Sequence, residues 1–181
     1  MDYAQFIKKL PVAVDFAAPE RLAYEDVVAR AMSRADLQED VRGINASLEL
    51  IRRTRGGGWP TEPVTEDYDF VDLVWHELEF RDGYSFSYVV HDAGGQYLGC
   101  CYLYPMGRRT ELTDALLAYD VDVSWWVTAT AYDRGDYVGL YAALRHWMAT
   151  EFPFWTPYYS NREIPELPLD SAPEHARALP T

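Results

Sequence analysis

Cysteine is nearly absent from this sequence: of 181 residues only Cys100 and Cys101 are cysteines, and they are neighbours. Adjacent residues of an extended strand point to opposite faces, so neither a disulfide framework nor a zinc cage follows. A reducing, cytoplasmic setting is the expectation. Positive charge is scarce as well, with 16 Lys and Arg against 29 Asp and Glu and a formal net charge of -13. Such a chain repels phosphate backbones and anionic lipid at long range, which argues against a general nucleic-acid or membrane-surface binder. No apolar run approaches the roughly 18 residues that a spanning helix needs, and no charged stretch followed by an apolar one opens the sequence. A soluble protein is expected. No internal repeat is visible.

Several catalytic signatures are missing too. His76-Glu77 begins like the zinc-binding HExxH helix, but the fifth position is Phe80. Asp120, Asp122 and Ser124 have calcium-loop spacing, yet Trp125 and Ala131 stand where Gly and Glu are required. No metal site is expected. There is no G-x-S-x-G elbow, and Gly56-Gly57-Gly58 lacks the Lys and Ser/Thr of a phosphate loop.

What is present supports one sizeable core: 49% hydrophobic and 15% aromatic residues suit a domain that buries roughly 70% of its extended surface. A single domain over residues 1–165 is expected, with 166–181, rich in Pro, Ala and charge, as an arm or disordered tail. Val12 to Phe16 reads as a strand or extended arm. From Tyr24 to Arg55 apolar residues recur every three or four positions, predicting one long helix or two short ones. Ser33 is a cap for the second piece, Gly43 a weak point inside it, and Gly56-Gly57-Gly58 its stop. Arg52, Arg53 and Arg55 in the last turn complement the helix dipole. Thr65 caps a second helix to about Phe80, which would bury Phe70, Val71, Val74 and Leu78.

Tyr84–His91 and Gln96–Tyr104, joined by Asp92-Ala93-Gly94-Gly95, read as an antiparallel hairpin. Asp120–Thr128 alternates like a half-buried strand, and a turn-rich break leads into a helix from Asp136 to Ala149. Trp155–Tyr159 is a further strand. Strand, helix and strand form a βαβ unit, right-handed and with parallel strands. Trp125 and Trp126 should point to opposite faces.

The runs WHELEF (Trp75 to Phe80), YLGCCYLYP (Tyr97 to Pro105), DVSWWV (Asp122 to Val127) and YDRGDYVGLYAALRHWMATEFPF (Tyr132 to Phe154), with Asn161-Arg162-Glu163 after the last strand, resemble the GNAT superfamily of N-acetyltransferases. The resemblance covers roughly residues 60 to 164. It implies an α/β (α+β) fold with a mixed, splayed central sheet and helices on both faces. Acetyl-CoA would lie in the V between the strands at Asp120–Thr128 and Trp155–Tyr159, its pantetheine arm along Trp126, Val127 and Thr128. The backbone N–H of Val127 would meet the thioester oxygen. The pyrophosphate would sit where the next helix begins, at Arg134, Gly135, Tyr137 and Gly139. A helix start with exposed N–H groups suits an anion on physical grounds as well.

Two departures stand out: Tyr137 replaces the central glycine of the family's R/Q-x-x-G-x-G/A turn, where its ring would block or reshape the pocket, and only the Pro-rich tail follows the last strand. The hairpin that often supplies the catalytic tyrosine is missing. Asp122 is the candidate base or relay, the bland alternative being a solvated strand face. Tyr158 or Tyr159 is the candidate acid for the thiolate, with Tyr159 preferred. His91 and His146 read as structural. The implied activity is acetyl or acyl transfer from acetyl-CoA to an amine of a small molecule or peptide, with a cationic acceptor suited to the acidic surface. The other reading is a degenerate GNAT-fold module that binds a ligand or a protein without catalysis. An exposed edge after the last strand suggests a homodimer or a tail folded over that edge.

Overall fold

Four of the expected strands sit side by side in one sheet of six, ordered β1-β2-β3-β4-β5-β6. The computed structural model describes residues 8–167. The hairpin is present as β3 (Phe86–Asp92) and β4 (Tyr97–Tyr104), and β5 (Val121–Val127) continues antiparallel from β4. The chain then crosses over through α4 (Ala129–Arg134) and α5 (Asp136–Thr150) to β6 (Pro157–Tyr159), which runs parallel to β5. The βαβ expectation is met, and the turn-rich break proves to contain a short helix capped by Thr128. Gly135, at φ 93°, makes the left-handed joint between the two helices that a side chain would strain.

The other two strands were not expected. Residues read as the start of a helix form β1 (Arg21–Tyr24) and β2 (Val27–Ala31), an antiparallel pair that extends the sheet beyond β3. Leu22, Val27 and Ala29 satisfy a period of two as well as one of three or four, and all three are buried on the α5 side. Val12 to Phe16 forms no strand. Helix begins only after Ser33, whose capping box with Asp36 opens a 3-10 turn into α1 (Leu37–Asn45) and α2 (Leu48–Thr54). Gly43 is no accident of composition: a Cβ there would meet the Tyr97 ring at 2.6 Å, so the helix trades propensity for close approach to β4.

Thr65 caps α3 (Glu66–Asp82) as expected, accepting from Tyr68 N at 3.2 Å. The buried face is not the expected one. Phe70, Val71 and Leu78 are exposed, and Asp69, Leu73, His76 and Glu79 face inward. The sheet therefore carries two different layers. On one side α5 packs Tyr137, Leu140, Tyr141, Leu144 and Trp147 against Val121, Val123, Trp125 and Val127. On the other, α1, α2 and α3 cover Val89, Cys100, Tyr102 and Trp126 together with a set of polar groups. Among the described residues no helix is long and apolar enough to cross a membrane. The expected arm lies, from residue 168 onward, outside the described residues.

Candidate functional site

Strand β5 shows both layers in seven residues. Trp125 and Trp126 do point to opposite faces, and both are fully buried. The even residues Asp122 and Ser124 were expected on a half-solvated face, but helices α1 to α3 roof that face and both are completely buried. Asp122 accepts from Thr110 Oγ1 at 2.8 Å and from the Ser160 hydroxyl, so both of its buried oxygens have a partner. Ser124 Oγ faces the Arg55 guanidinium at 3.4 Å.

Arg55 belongs to a pocket of about 330 Å³ between α2, α3 and β4. Its guanidinium lies 4.3 Å from the centre of the Tyr102 ring and 5.5 Å from that of Trp59. The Tyr102 hydroxyl accepts from Trp126 Nε1 at 3.0 Å, and burial holds the phenol far above its ordinary range. Across the pocket, His76 Nδ1 meets Ser87 Oγ at 2.9 Å, and its Nε2 faces Asp72 at 3.4 Å. These contacts occupy both ring nitrogens, with Asp72 able to accept from Nε2 and Ser87 sharing a hydrogen bond with Nδ1. The Asp72 carboxyl stays below its usual range, because His76 and the two arginines outweigh the burial that pushes it up. Arg108 pairs with Glu79 at 2.7 Å, and Glu79 also accepts from Trp75 Nε1 and Ser85 Oγ.

Behind these groups lies a buried acidic cluster. Burial pushes the Asp40 carboxyl up to about 6, against hydrogen bonds from Tyr97 and Cys100 that lower it. Asp69 is pushed up to about 8, first by burial and then by Asp40 and Asp72, and its Oδ2 has no partner among the described residues. Among these residues no group of acids, histidines and cysteines has metal-binding geometry.

The second feature is the gap where β5 and β6 part. Their pairing stops at Val123 and Tyr159, with Ser160 N donating to Val123 O at 3.0 Å. One step on, the Asn161 carboxamide substitutes for a strand: Trp125 N donates to its Oδ1 at 3.1 Å and its Nδ2 donates to Trp125 O at 3.0 Å. Two residues further, Val127 lies opposite Gly99 without exchanging hydrogen bonds, because Thr128 N reaches Leu98 O at 2.7 Å. The Val127 N–H and C=O therefore point to the β6 side, buried, and meet no partner among the described residues. Buried backbone groups are almost always paired, so an open pair on a strand flank is a place for an extended ligand.

The helix-start residues are arranged less openly. Arg134 bonds to Asp136 at 2.7 Å and Gln96 at 2.8 Å, and lies 3.6 Å from Asp92, so its charge is already matched. The Tyr137 ring does not lie over the helix start. It turns inward beside Trp125, where its hydroxyl donates to Glu163 O at 2.6 Å and accepts from Asn161 Nδ2 at 2.7 Å. Gly139 sits one turn into α5 facing Val27, and Thr128 caps α4. Trp126 lends only its backbone to the strand, its ring being in the opposite core. Asp122 and Tyr159 are on opposite faces of the sheet: Tyr159 packs against Trp125 and Tyr141 with its phenol raised by burial. The structure does not bring that pair together.

Sequence reading missed Arg55, Asp72, His76 and Asn161. Arg55 was assigned to a helix dipole. The one available signal was Asp69, Asp72, His76 and Glu79 at helical spacing, a stripe of ionisable groups that competes with the apolar stripe beside it.

No family model matches the sequence, and no curated protein matches it. Solved structures do. The chain is similar to RimL, the ribosomal L7/L12 alpha-N-protein acetyltransferase in complex with coenzyme A, at 12% identity and a TM-score of 0.54, over 72% of this chain and 68% of that one. Ribosomal-protein-S5-alanine acetyltransferase from Vibrio fischeri matches at 12% identity and 0.52, over 71% and 66%. An acetyl transferase from Salmonella typhimurium that modifies the N-terminal serine of L7/L12 matches at 10% and 0.50, over 70% and 65%. The chain thus spans about two thirds of the length of each. At such identities the comparison speaks to architecture, and the chain has the fold of the GNAT-type acetyltransferases.

Proposed function

We propose that this chain is a GNAT-type N-acyltransferase that binds acetyl-CoA in the gap between β5 and β6 and acylates an amine held in the aromatic pocket. The observation that carries this reading is the unpartnered N–H and C=O of Val127 on the open flank of β5. Those two groups fit the amides of a pantetheine arm, and the N–H is placed to hold a carbonyl oxygen on which charge develops. Acetyl-CoA, when bound, supplies an acetyl group activated as a thioester. The chain's own residues do the rest. Asp72, which faces His76 Nε2 in the same pocket, attracts the protonated amine, and the proton that the amine must lose leaves to water at the half-exposed rim. Asp122, enclosed by Thr110 and Ser160, holds β5 to the chain after β6 and serves the site from behind.

Calorimetric titration with acetyl-CoA tests the reading. Saturable binding is expected, and no heat at millimolar acetyl-CoA would sink it.

A specific arrangement favours the second reading, a binding module. Asn161 already occupies both backbone groups of Trp125, and Tyr132, bonded to Glu163 and stacked under Arg53, closes the same side. Under that reading Asn161→Ala leaves acetyl-CoA binding absent. Under the first it leaves binding in place or strengthens it, because a competitor for the strand has been removed.

A further inference from the structure

We infer that the pocket between α2, α3 and β4 binds an aromatic amino acid, with its carboxylate on Arg55 and its ammonium on Asp72. Arg55 is only 8% exposed, yet the sole hydrogen-bond partner of its guanidinium among the described residues is the Ser124 hydroxyl at 3.4 Å. No carboxylate of those residues comes within 4.0 Å of it. A guanidinium has five N–H donors in a planar fork, and buried charge is normally paired. Arg55 is therefore a cation in want of a planar anion, held by Tyr102 on one ring face and by Trp59 on another.

The second cation of the pocket is not free in this way, since Glu79 neutralises Arg108 at 2.7 Å. At the opposite side Asp72 is 47% exposed at its side chain, and its one partner within 4.0 Å among the described residues is His76. One guanidinium without a carboxylate partner and one half-exposed carboxylate thus face a single cavity of about 330 Å³ whose walls are mostly aromatic. That volume suits one amino acid with a ring to stack and excludes a long cofactor. A peptide N-terminus would present an ammonium without a nearby carboxylate and leave Arg55 unmatched. The inference rests on the acyltransferase reading only in making the bound ammonium the acceptor; binding itself requires no donor.

Three probes separate the contributions: L-phenylalanine, phenethylamine, which lacks the carboxylate, and 3-phenylpropionate, which lacks the amine. Each is titrated calorimetrically into the full chain without acetyl-CoA. Phenylalanine is expected to bind at least tenfold more tightly than either of the others. Arg55→Met should bring phenylalanine down to the level of phenethylamine. Asp72→Asn, at the rim where folding is not at stake, should bring it to the level of 3-phenylpropionate. Phenethylamine binding as tightly as phenylalanine would overturn the assignment, as would leucine binding as tightly, no binding of phenylalanine at 10 mM, or unchanged phenylalanine binding by Asp72→Asn. Phenylalanine binding beside a silent acetyl-CoA titration would keep this inference and remove the enzyme. The reverse pair of results would keep the enzyme and remove the inference.

Discussion

The two faces of β5 are built from alternate residues of one strand, and they are opposites. The odd face packs Val121, Val123, Trp125 and Val127 on α5, with Trp125 stacked 5.0 Å from Tyr141. The even face carries Asp122 and Ser124 beside Trp126, under helices that contribute Arg55, Asp69, His76 and Glu79. Burial is equally complete on both, so burial does not distinguish core from site here. The difference lies in how the buried groups are satisfied. Apolar groups need only contact, whereas each buried polar group needs its own partner, and where one is missing, as at Arg55 and Asp69, the structure is left open to a ligand or a proton.

The largest effect is expected on the odd face. Trp125→Ala removes a fully buried indole and should cost about 3 to 5 kcal/mol, read from chemical denaturation. A loss below about 1 kcal/mol would mean that α5 does not pack as described. On α3 the comparison can be broken within three residues. Leu73→Ala should cost about 2 to 5 kcal/mol, whereas Val71→Ser should stay within about 0.5 kcal/mol, because Val71 is exposed. The opposite order would restore the apolar stripe of Phe70, Val71, Val74 and Leu78 as the buried face.

The even face should respond to pH. Asp69 and Asp40 hold their protons in the folded state to about pH 8 and about pH 6, while in the unfolded chain both titrate near 3.8. The folded state then binds more protons than the unfolded one, so stability should fall as pH rises, through both groups from about 4 to 6 and through Asp69 alone up to about 8. The slope is at most about 1.4 kcal/mol per pH unit for each group. Asp69→Asn should flatten the upper part of that decline in melting temperature against pH. A decline unchanged in Asp69→Asn would contradict the buried, protonated Asp69. A modest effect is expected of Tyr137→Phe, which keeps the ring against Trp125 and loses the bonds to Glu163 and Asn161, for about 1 kcal/mol in chemical denaturation.

The same contrast explains what the amino-acid sequence made legible. Turn chemistry announced the β3–β4 hairpin, Thr65 announced α3, and the βαβ crossover followed from apolar spacing around a helix bounded by Gly135 and Pro153. These are local signals. The first hairpin was obscured because Leu22, Val27 and Ala29 fit two periodicities, and only pairing with β3 selects the strand. The face of α3 was misread for a similar reason: a stripe holding Asp69, His76 and Glu79 looks like a solvent face until Ser85, Ser87 and Arg108 arrive from elsewhere to satisfy it. Resemblance pointed to Val127, whose openness depends on where β6 ends. Asn161 entered only as part of the resemblance and Arg55 only as a helix-end charge, since a buried arginine and a side chain that mimics a strand are defined by their partners alone.

Hydrogen exchange at the Val127 amide tests the central claim most directly. In the free protein this amide should exchange at least tenfold faster than that of Thr128, which is bonded to Leu98 O. Saturating acetyl-CoA should slow Val127 by at least tenfold while Thr128 stays as it was. A Val127 amide already as protected as Thr128, or one that acetyl-CoA leaves unchanged, would contradict the account.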